Sequence, residues 1–451
     1  MRENKVNGSR FRVGSFMGRL LLVLLLAYSV TDLFAQAFSP YSRYGLGSLS
    51  SPVVSANKGM GGLSAAYYSA ININPANPAS YASLTHTTFD IGMRIDGANI
   101  HSGDSTYRAT QVGVNHFTLA LVPHPKRSSY AIVLGLLPYS NTNYTFIQNF
   151  NDSALGPFRQ VYQGKGSLYQ AFVGGAFKIK GFSFGANVGY LFGRLDYNKT
   201  ITFPDSIHAY TTRNNTTMNL RSFIYSVGAQ YQKRIYYNSV GARDERTDIF
   251  MTVGAYGFGG MNVSGKISSY WDRIIIDPTY GIIPADTSAA VFNAKVKLKL
   301  PFNVGGGIMF GNERYWMLGA DFKYANWKNF STPLSNGNLA DSWRVSFGGQ
   351  IIPKYDEPDK KKYFSRVQYR AGVYFGKSEI TYAGNHLSET GGTVGLGLPY
   401  KASFFFSGHL NLSADFGSRG ANDKAVIREN YYRVAIGFVV NDWWFNKRKF
   451  D

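Results

Sequence analysis

From about residue 87 onward the chain alternates apolar and polar positions with a period of two. Phe89, Ile91, Met93 and Ile95 share one parity, while Asp90, Gly92, Arg94 and Asp96 take the other. The same alternation recurs at Tyr130/Ile132/Leu134/Leu136, at Phe182/Phe184/Ala186/Val188/Tyr190/Phe192, at Trp316/Leu318/Ala320/Phe322/Tyr324 and at Val434/Ile436/Phe438/Val440. This is the period of a β-strand with two unlike faces. The pattern predicts strands near 87–96, 115–123, 129–140, 166–179, 181–193, 218–233, 247–263, 298–310, 313–325, 341–352, 364–376, 391–399, 403–416 and 430–441.

Alternation alone fits either a soluble sandwich, whose apolar face meets a core, or a membrane barrel, whose apolar face meets lipid. Run length separates them: many runs reach 10–14 residues, suited to a tilted bilayer span and longer than the usual soluble strand. Aromatics gather at run ends, as at Tyr324/Trp327 and Trp443/Trp444/Phe445, where an interfacial girdle belongs. The expected fold class is therefore all-β: a transmembrane antiparallel up-and-down β-barrel of about fourteen strands with an N-terminal plug or hatch. Polar stretches 141–165, 197–217, 264–297 and 377–390 read as long extracellular loops, and Pro123–Ser128 and Gly311–Asn312 as short periplasmic turns.

Composition narrows the function. There is no cysteine, so disulfides, cysteine-ligated metals, thiol nucleophiles and a lipid anchor on cysteine are excluded. Charged residues are 16% and aromatics 16%, the opposite of a disordered chain. The formal charge of +20 points to nucleic acid or to a membrane surface, and the N-terminus decides between them. Arg2, Lys5, Arg10, Arg12 and Arg19 precede an apolar run from Leu20 to Val30, and Ala35-Gln36-Ala37 forms an A-x-A cleavage site. That is a secretory signal peptide, too short for a membrane-spanning helix. Its removal leaves about +17 on an exported protein, with no nucleic-acid partner. The expected organisation is a signal peptide over 1–37, a plug over 38–85 and a barrel over 86–451.

The segment ahead of the first strand contains Met60-Gly61-Gly62-Leu63-Ser64-Ala65-Ala66 and then Ile73-Asn74-Pro75-Ala76-Asn77-Pro78-Ala79-Ser80. Proline fixes φ and asparagine favours turns, so the stretch reads as a rigid, compact, non-helical connector. It resembles the opening of the FadL-type outer-membrane transporters of hydrophobic compounds, which carry an Asn-Pro-Ala-Gly sequence in an N-terminal hatch. Here Asn-Pro-Ala occurs twice, at Asn74-Pro75-Ala76 and Asn77-Pro78-Ala79, and neither copy is followed by glycine. Tyr41-Ser42-Arg43-Tyr44-Gly45-Leu46-Gly47 is similar to the start of FadL-like proteins from Bacteroidetes. The resemblance implies a fourteen-strand barrel in the outer membrane of a Gram-negative bacterium and passive uptake of long-chain fatty acids or hydrocarbons. Ligand passage would run past a rearranged hatch or sideways through a gap in the wall. It also implies an alternative, an accessory barrel that binds or shuttles secreted or surface proteins, with 264–297 or 377–390 as the partner surface.

Catalytic matches dissolve on inspection. Gly181-Phe182-Ser183-Phe184-Gly185 fits a nucleophile-elbow pattern but opens a strand instead of joining a strand to a helix. Gly260 to Lys266 resembles a phosphate loop, but Ile267 stands where a serine or threonine must meet magnesium. Ser407, His409, Asn411, Ser413 and Asp415 share one strand parity, and at about 7 Å spacing they are too far apart for nucleophile–base contact. No enzyme, cofactor or metal is expected. The candidate lumen polar residues are Arg366, Arg370, His409 and Asn411. Either arginine is a candidate for the carboxylate of an amphipathic ligand, against the alternative of ion pairs tying the wall together. Pro123 and Pro138 mark places where strand pairing could stop. Basic residues at loops and rims are placed to meet lipopolysaccharide.

Overall fold

The computed structural model describes residues 39–444 apart from 104, 124–129, 155, 205–209, 237–247, 278, 280, 333, 335–338, 356–357, 383, 402–406, 421–426 and 443. The signal-peptide expectation and the aromatic C-terminal end beyond Trp444 lie outside the described residues.

A two-residue strand, β1 (Ser48–Leu49), precedes a long antiparallel run. Its first half is β2 (Thr87–Ser102), β3 (Ser105–Leu121), β4 (Tyr130–Asp152), β5 (Gly156–Ile179), β6 (Phe182–Thr202), β7 (Thr211–Tyr236) and β8 (Ile249–Phe258). A hairpin follows, β9 (Asn262–Asp277) and β10 (Gly281–Lys299). The second half is β11 (Asn303–Asn312), β12 (Trp316–Ala325), β13 (Ser342–Ile351), β14 (Gln368–Tyr382), β15 (Asn385–Lys401), β16 (Ser407–Gly420) and β17 (Arg428–Asp442).

Fourteen of these strands, β2–β8 and β11–β17, close into one ring. The seam is β17 against β2, from Arg428↔His101 to Asp442↔Thr87, and β8 joins β11 from Asn303↔Phe258 to Gly311↔Phe250. Closure removes the sheet edges that hydrocarbon would leave unsatisfied. Parity falls as the sequence pattern predicts. Ile91, Met93, Val188, Phe223, Leu318, Phe322, Val373 and Ile436 are exposed on the outer face, an apolar band suited to lipid. Asp90, Asp321, Gln350, Arg370 and Asn411, of the opposite parity, are buried.

The long polar stretches are not loops. Residues 141–165 continue β4 and β5 as one hairpin, paired out to Asp152↔Gly156. Residues 197–202 and 211–217 likewise extend β6 and β7, which pair as far as Ile201↔Thr212. Segment 264–297 is the β9–β10 hairpin, with β9 laid along upper β7 from Thr211↔Ile274 to Leu220↔Gly265. Segment 377–390 is the top of β14 and β15, where pairing resumes at Thr381↔His386 and Tyr382↔Asn385. Above the bilayer both faces of a strand are polar, so the alternation that marks a strand disappears while its ladder persists. The rim is uneven as a result: β5 and β7 have 24 and 26 residues, and β8, β11, β12 and β13 have 10 each.

Residues 39–86 run along the inner face. Besides the two-residue β1 they carry only short helical pieces: the 3₁₀ turn Pro40–Arg43, the single α-turn Ser55–Lys58 and the 3₁₀ segment Pro78–Ser83 capped by Asn77. Wall glycines make room for this backbone. A Cβ at Gly372 would sit 2.3 Å from Gly61 N, at Gly348 2.5 Å from Met60 O, at Gly254 1.9 Å from Ala65 O, and at Gly228 2.0 Å from Asn77 Oδ1. Adjoining clusters seal the contact. Ile73, Tyr81 and Leu84 pack on Ala120, Val133 and Phe172, and Met60 and Leu63 on Met309 and Met317.

Candidate functional site

The segment Asn74–Ala79 is wholly buried, and its asparagines do the bonding. Asn74 Nδ2 donates to Ser64 O at 2.8 Å, and Asn77 Nδ2 donates to Ala65 O at 2.6 Å. Asn77 Oδ1 accepts from Ala79 N at 3.1 Å, which starts the Pro78–Ser83 turn. The wall answers through Asn187, whose Nδ2 donates to Pro75 O at 3.3 Å and whose Oδ1 accepts from Tyr81 OH at 3.0 Å. Asn74, Pro75, Ala76, Asn77, Pro78 and Ala79 thus form one folded-back unit.

Further wall groups fasten the same segment. Asp321 accepts from Ser64 N at 2.6 Å and from Ala65 N at 2.9 Å. Gln230 Nε2 donates to Ala65 O and Tyr67 O, both at 3.0 Å, and Lys323 Nζ donates to Gly62 O at 3.1 Å. Lys58 Nζ reaches Asn115 Oδ1 at 2.5 Å. Burial, with Arg94 nearby, pushes the Lys58 ammonium down to about 8, against the opposing pull of Asp96.

The candidate lumen residues divide. Arg370, His409 and Asn411 come together: Arg370 Nη1 donates to Asn411 Oδ1 at 2.8 Å and Nε to Gln350 Oε1 at 2.8 Å. Gln368 accepts from Arg370 Nη2 and lies 3.2 Å from His409 Nε2. The guanidinium is enclosed by amides, and Arg370 lines neither of the two lumen cavities described below. This favours the wall-tying alternative over a ligand contact. Arg366 is not on a strand. It ends the 3₁₀ turn Lys360–Arg366 before β14, with its guanidinium 5.6 Å above the Tyr363 ring. Asp359 caps that turn, and β14 begins only at Gln368, so Arg366 does not share a strand face with Arg370.

Two cavities share the lumen beside the segment Leu49–Ser51. One, of about 230 Å³, is charged, with Arg94, Asp96, Glu389, Asp415, Arg419, Glu429 and Arg433 in its lining. Its charges answer one another: Arg419 Nη2 is 3.4 Å from Glu389, Arg433 Nη1 3.5 Å from Asp415, and Tyr431 OH donates to Glu389 at 2.8 Å. The other, of about 320 Å³, has Pro75 and Ala76 in its lining, with Leu137, Pro138, Phe172, Phe258 and Trp327 around them. Lys323, Arg344, Glu379 and Glu389 line both cavities. The sequence pattern does not reveal this apolar chamber, because its walls come from ten strands, β4–β8 and β11–β15, and the N-terminal segment.

The wall breaks beside Leu137 and Pro138 of the apolar chamber, and higher up, at Gln111 and Asn141, the break borders the charged cavity. β3 and β4 pair only from Phe117↔Leu136 to Leu121↔Ile132, although both strands run on. Pro138 follows two residues after the last pair, and β4 is irregular between Pro138 and Ser140. Above it, β4 takes β1 as partner through Leu49↔Ser140 and Ser48↔Asn141. Asn141 Nδ2 crosses to Gln111 Oε1 of β3 at 2.9 Å. Pro123 lies just past β3.

A search of curated protein sequences returns no match. Solved structures share the fold. A FadL homologue from Pseudomonas aeruginosa is 11% identical with a TM-score of 0.55, covering 88% of this chain and 99% of its own. The Pseudomonas putida toluene transporter TodX is 14% identical with a TM-score of 0.51, covering 90% and 99%. The Ralstonia pickettii toluene transporter TbuX is 12% identical with a TM-score of 0.50, covering 86% and 98%. At these identities the likeness is one of architecture. One family model matches residues 17–451, almost the whole sequence, and by that match the chain belongs to the BamG family.

Proposed function

We propose that this barrel is an outer-membrane channel for passive uptake of hydrophobic or amphipathic small molecules, of which long-chain fatty acids and hydrocarbons are the candidates. The observation that carries the reading is the apolar chamber of about 320 Å³ placed where β3 and β4 part. Its size and lining suit one small apolar ligand with a few orienting polar groups. Lys323 and Arg344, where the chambers meet, are placed for an anionic head group, a role the sequence pattern had offered to Arg366 or Arg370. The fold shared with the toluene transporters supports this reading. In it, residues 39–86 are the plug, Asn74–Ala79 the floor under the ligand, and β1 the strip that fills the side gap.

The test is uptake of labelled palmitate and toluene by cells with and without the protein. Faster uptake with the protein supports a channel, and equal uptake across both compounds overturns it.

The β9–β10 hairpin favours a second reading, an accessory barrel that holds a secreted or surface protein. Among the described residues β10 pairs on one side with β9, and on the other only through Lys299↔Ser331. An open strand edge can add a partner's strand. Deleting 264–297 separates the two readings, since it removes the partner surface and leaves the apolar chamber's floor in place.

A further inference from the structure

The outer face changes character within one wall. On β6, Val188, Tyr190 and Phe192 are succeeded at the same parity by Arg194, Asp196 and Asn198. Neighbouring strands change at the same height. Across β4 to β9 the row Thr145, Gln163, Asn198, Asn215 and Tyr270 is continuous in register. Below it runs Asn143, Lys165, Asp196 and Thr217, and the lipid-facing row of Tyr169 and Phe192 lies lower still. Five strands at about 4.8 Å spacing make the upper row roughly 19 Å long.

These two rows line a cavity of about 740 Å³. Its wall is made of amides and hydroxyls, with Tyr270 at one end, and it contains one close ion pair, Arg194 Nε to Asp196 Oδ1 at 2.8 Å. The polar chain is left incomplete. Thr200 Oγ1 donates to Asn198 Oδ1 at 2.9 Å and Asn198 Nδ2 donates to Asn215 Oδ1 at 2.9 Å, but Asn215 Nδ2 is buried with no acceptor. A buried amide donor without a partner is costly, and amides offer a donor and an acceptor side by side, as vicinal sugar hydroxyls do. An aromatic ring at the end of such a row supplies an apolar face for a pyranose.

We propose that this outward cradle holds the saccharide chain of an outer-leaflet glycolipid. Its position fits that source: the cradle's lower row lies two rows above the last lipid-facing aromatics, past Ser167 and Arg194, where the sugars of a membrane-anchored glycolipid stand. The site is on the opposite side of the wall from the lumen and does not depend on what the lumen carries.

The experiment uses the full-length barrel in nanodiscs with three probes: lipopolysaccharide bearing its core sugars, lipid A alone, and the free core oligosaccharide. Wild type is compared with Asn198→Ala/Asn215→Ala and with Tyr270→Ala, each first checked for heat-modifiable gel mobility. The expected result is at least a tenfold loss of affinity for core-bearing lipopolysaccharide in the double variant, and a smaller loss in Tyr270→Ala. Lipid A should bind wild type and variants alike, and the free oligosaccharide should bind more weakly than the lipid-linked form. Equal affinities of all three proteins for core-bearing lipopolysaccharide would overturn the proposal. So would a matching loss on lipid A, which would place recognition at the phosphates or acyl chains. Free oligosaccharide binding as tightly as the lipid-linked form would overturn the glycolipid as source.

Discussion

The lumen's two chambers meet at the same few residues yet are built on opposite principles. In the charged chamber almost every group already has a partner: Glu389 meets Arg419, Arg433 and Tyr431, and Asp415 meets Arg433 and Tyr374. Such a network fixes strands β15, β16 and β17 against one another and leaves little unsatisfied polarity for a ligand. The apolar chamber has rings, prolines and a methyl-lined floor; Lys323, Arg344, Glu379 and Glu389 stand on the side it shares with its neighbour, and apart from Lys377 the rest of its polar lining is uncharged, as at Gln170, Asn187, Ser226 and Asn303. The difference teaches that paired charges in this lumen lock the structure, and that the place for a ligand is where charges are fewer.

The largest effect is expected from breaking the glycine seat that positions the plug under both chambers. Gly372→Val puts new atoms where Gly61 N lies 2.3 Å from an added Cβ. The plug should leave the wall, and ion conductance in planar bilayers should rise from near zero to open-channel steps. Gly306→Ala, whose nearest contact is 4.0 Å away, should leave the trace silent. Equal traces for the two variants would mean that the wall glycines do not hold the plug.

Next comes the charged chamber. Arg419→Ala leaves Glu389 and Glu429 short of a cation, and breaking a buried pair by removing one partner costs about 3–5 kcal/mol. Urea denaturation of the folded barrel should show that loss, with hydrocarbon uptake per folded molecule unchanged. A parallel fall in uptake would join the two chambers functionally and break the comparison. Phe258→Asp is its mirror. It places a carboxylate in the apolar chamber and should reduce uptake about tenfold, with a much smaller change in stability.

The smallest effect concerns Lys58, which burial holds at about 8, below its ordinary 10.5. The unfolded chain keeps that proton to higher pH, so stability should rise as pH increases from 8 towards 10.5. Comparing wild type with Lys58→Met between pH 8 and pH 9.5 isolates the contribution: the variant should lose the rise. The same slope in both proteins would show that Lys58 is not enclosed.

The ring of strands was legible because lipid on one side and plug on the other impose a strict alternation, as at Phe182 to Phe192. Strand count and parity followed from that alone. The hairpin extensions were hidden because Asn143, Gln163 and Asn198 face water and carry no apolar signal, while the backbone ladder that makes them strands has no side-chain signature. The candidate site was legible in part. The asparagines and prolines at 74–79 announced a rigid turn unit, but not that Gly185 and Gly228 would receive it. Arg370 lies on the buried parity of β14, and two of its three amide partners, Gln350 and Asn411, come from β13 and β16, where no spacing reveals them.

The central claim is that a ligand enters the apolar chamber through the break between β3 and β4. The chain has no cysteine, so Gln111→Cys/Asn141→Cys, replacing the pair that bridges the break at 2.9 Å, can be joined by a short thiol cross-linker without competing sites. Uptake of labelled palmitate and toluene should fall at least tenfold on cross-linking and recover when a cleavable linker is reduced. Uptake that is the same with the break tied shut and open would contradict the account.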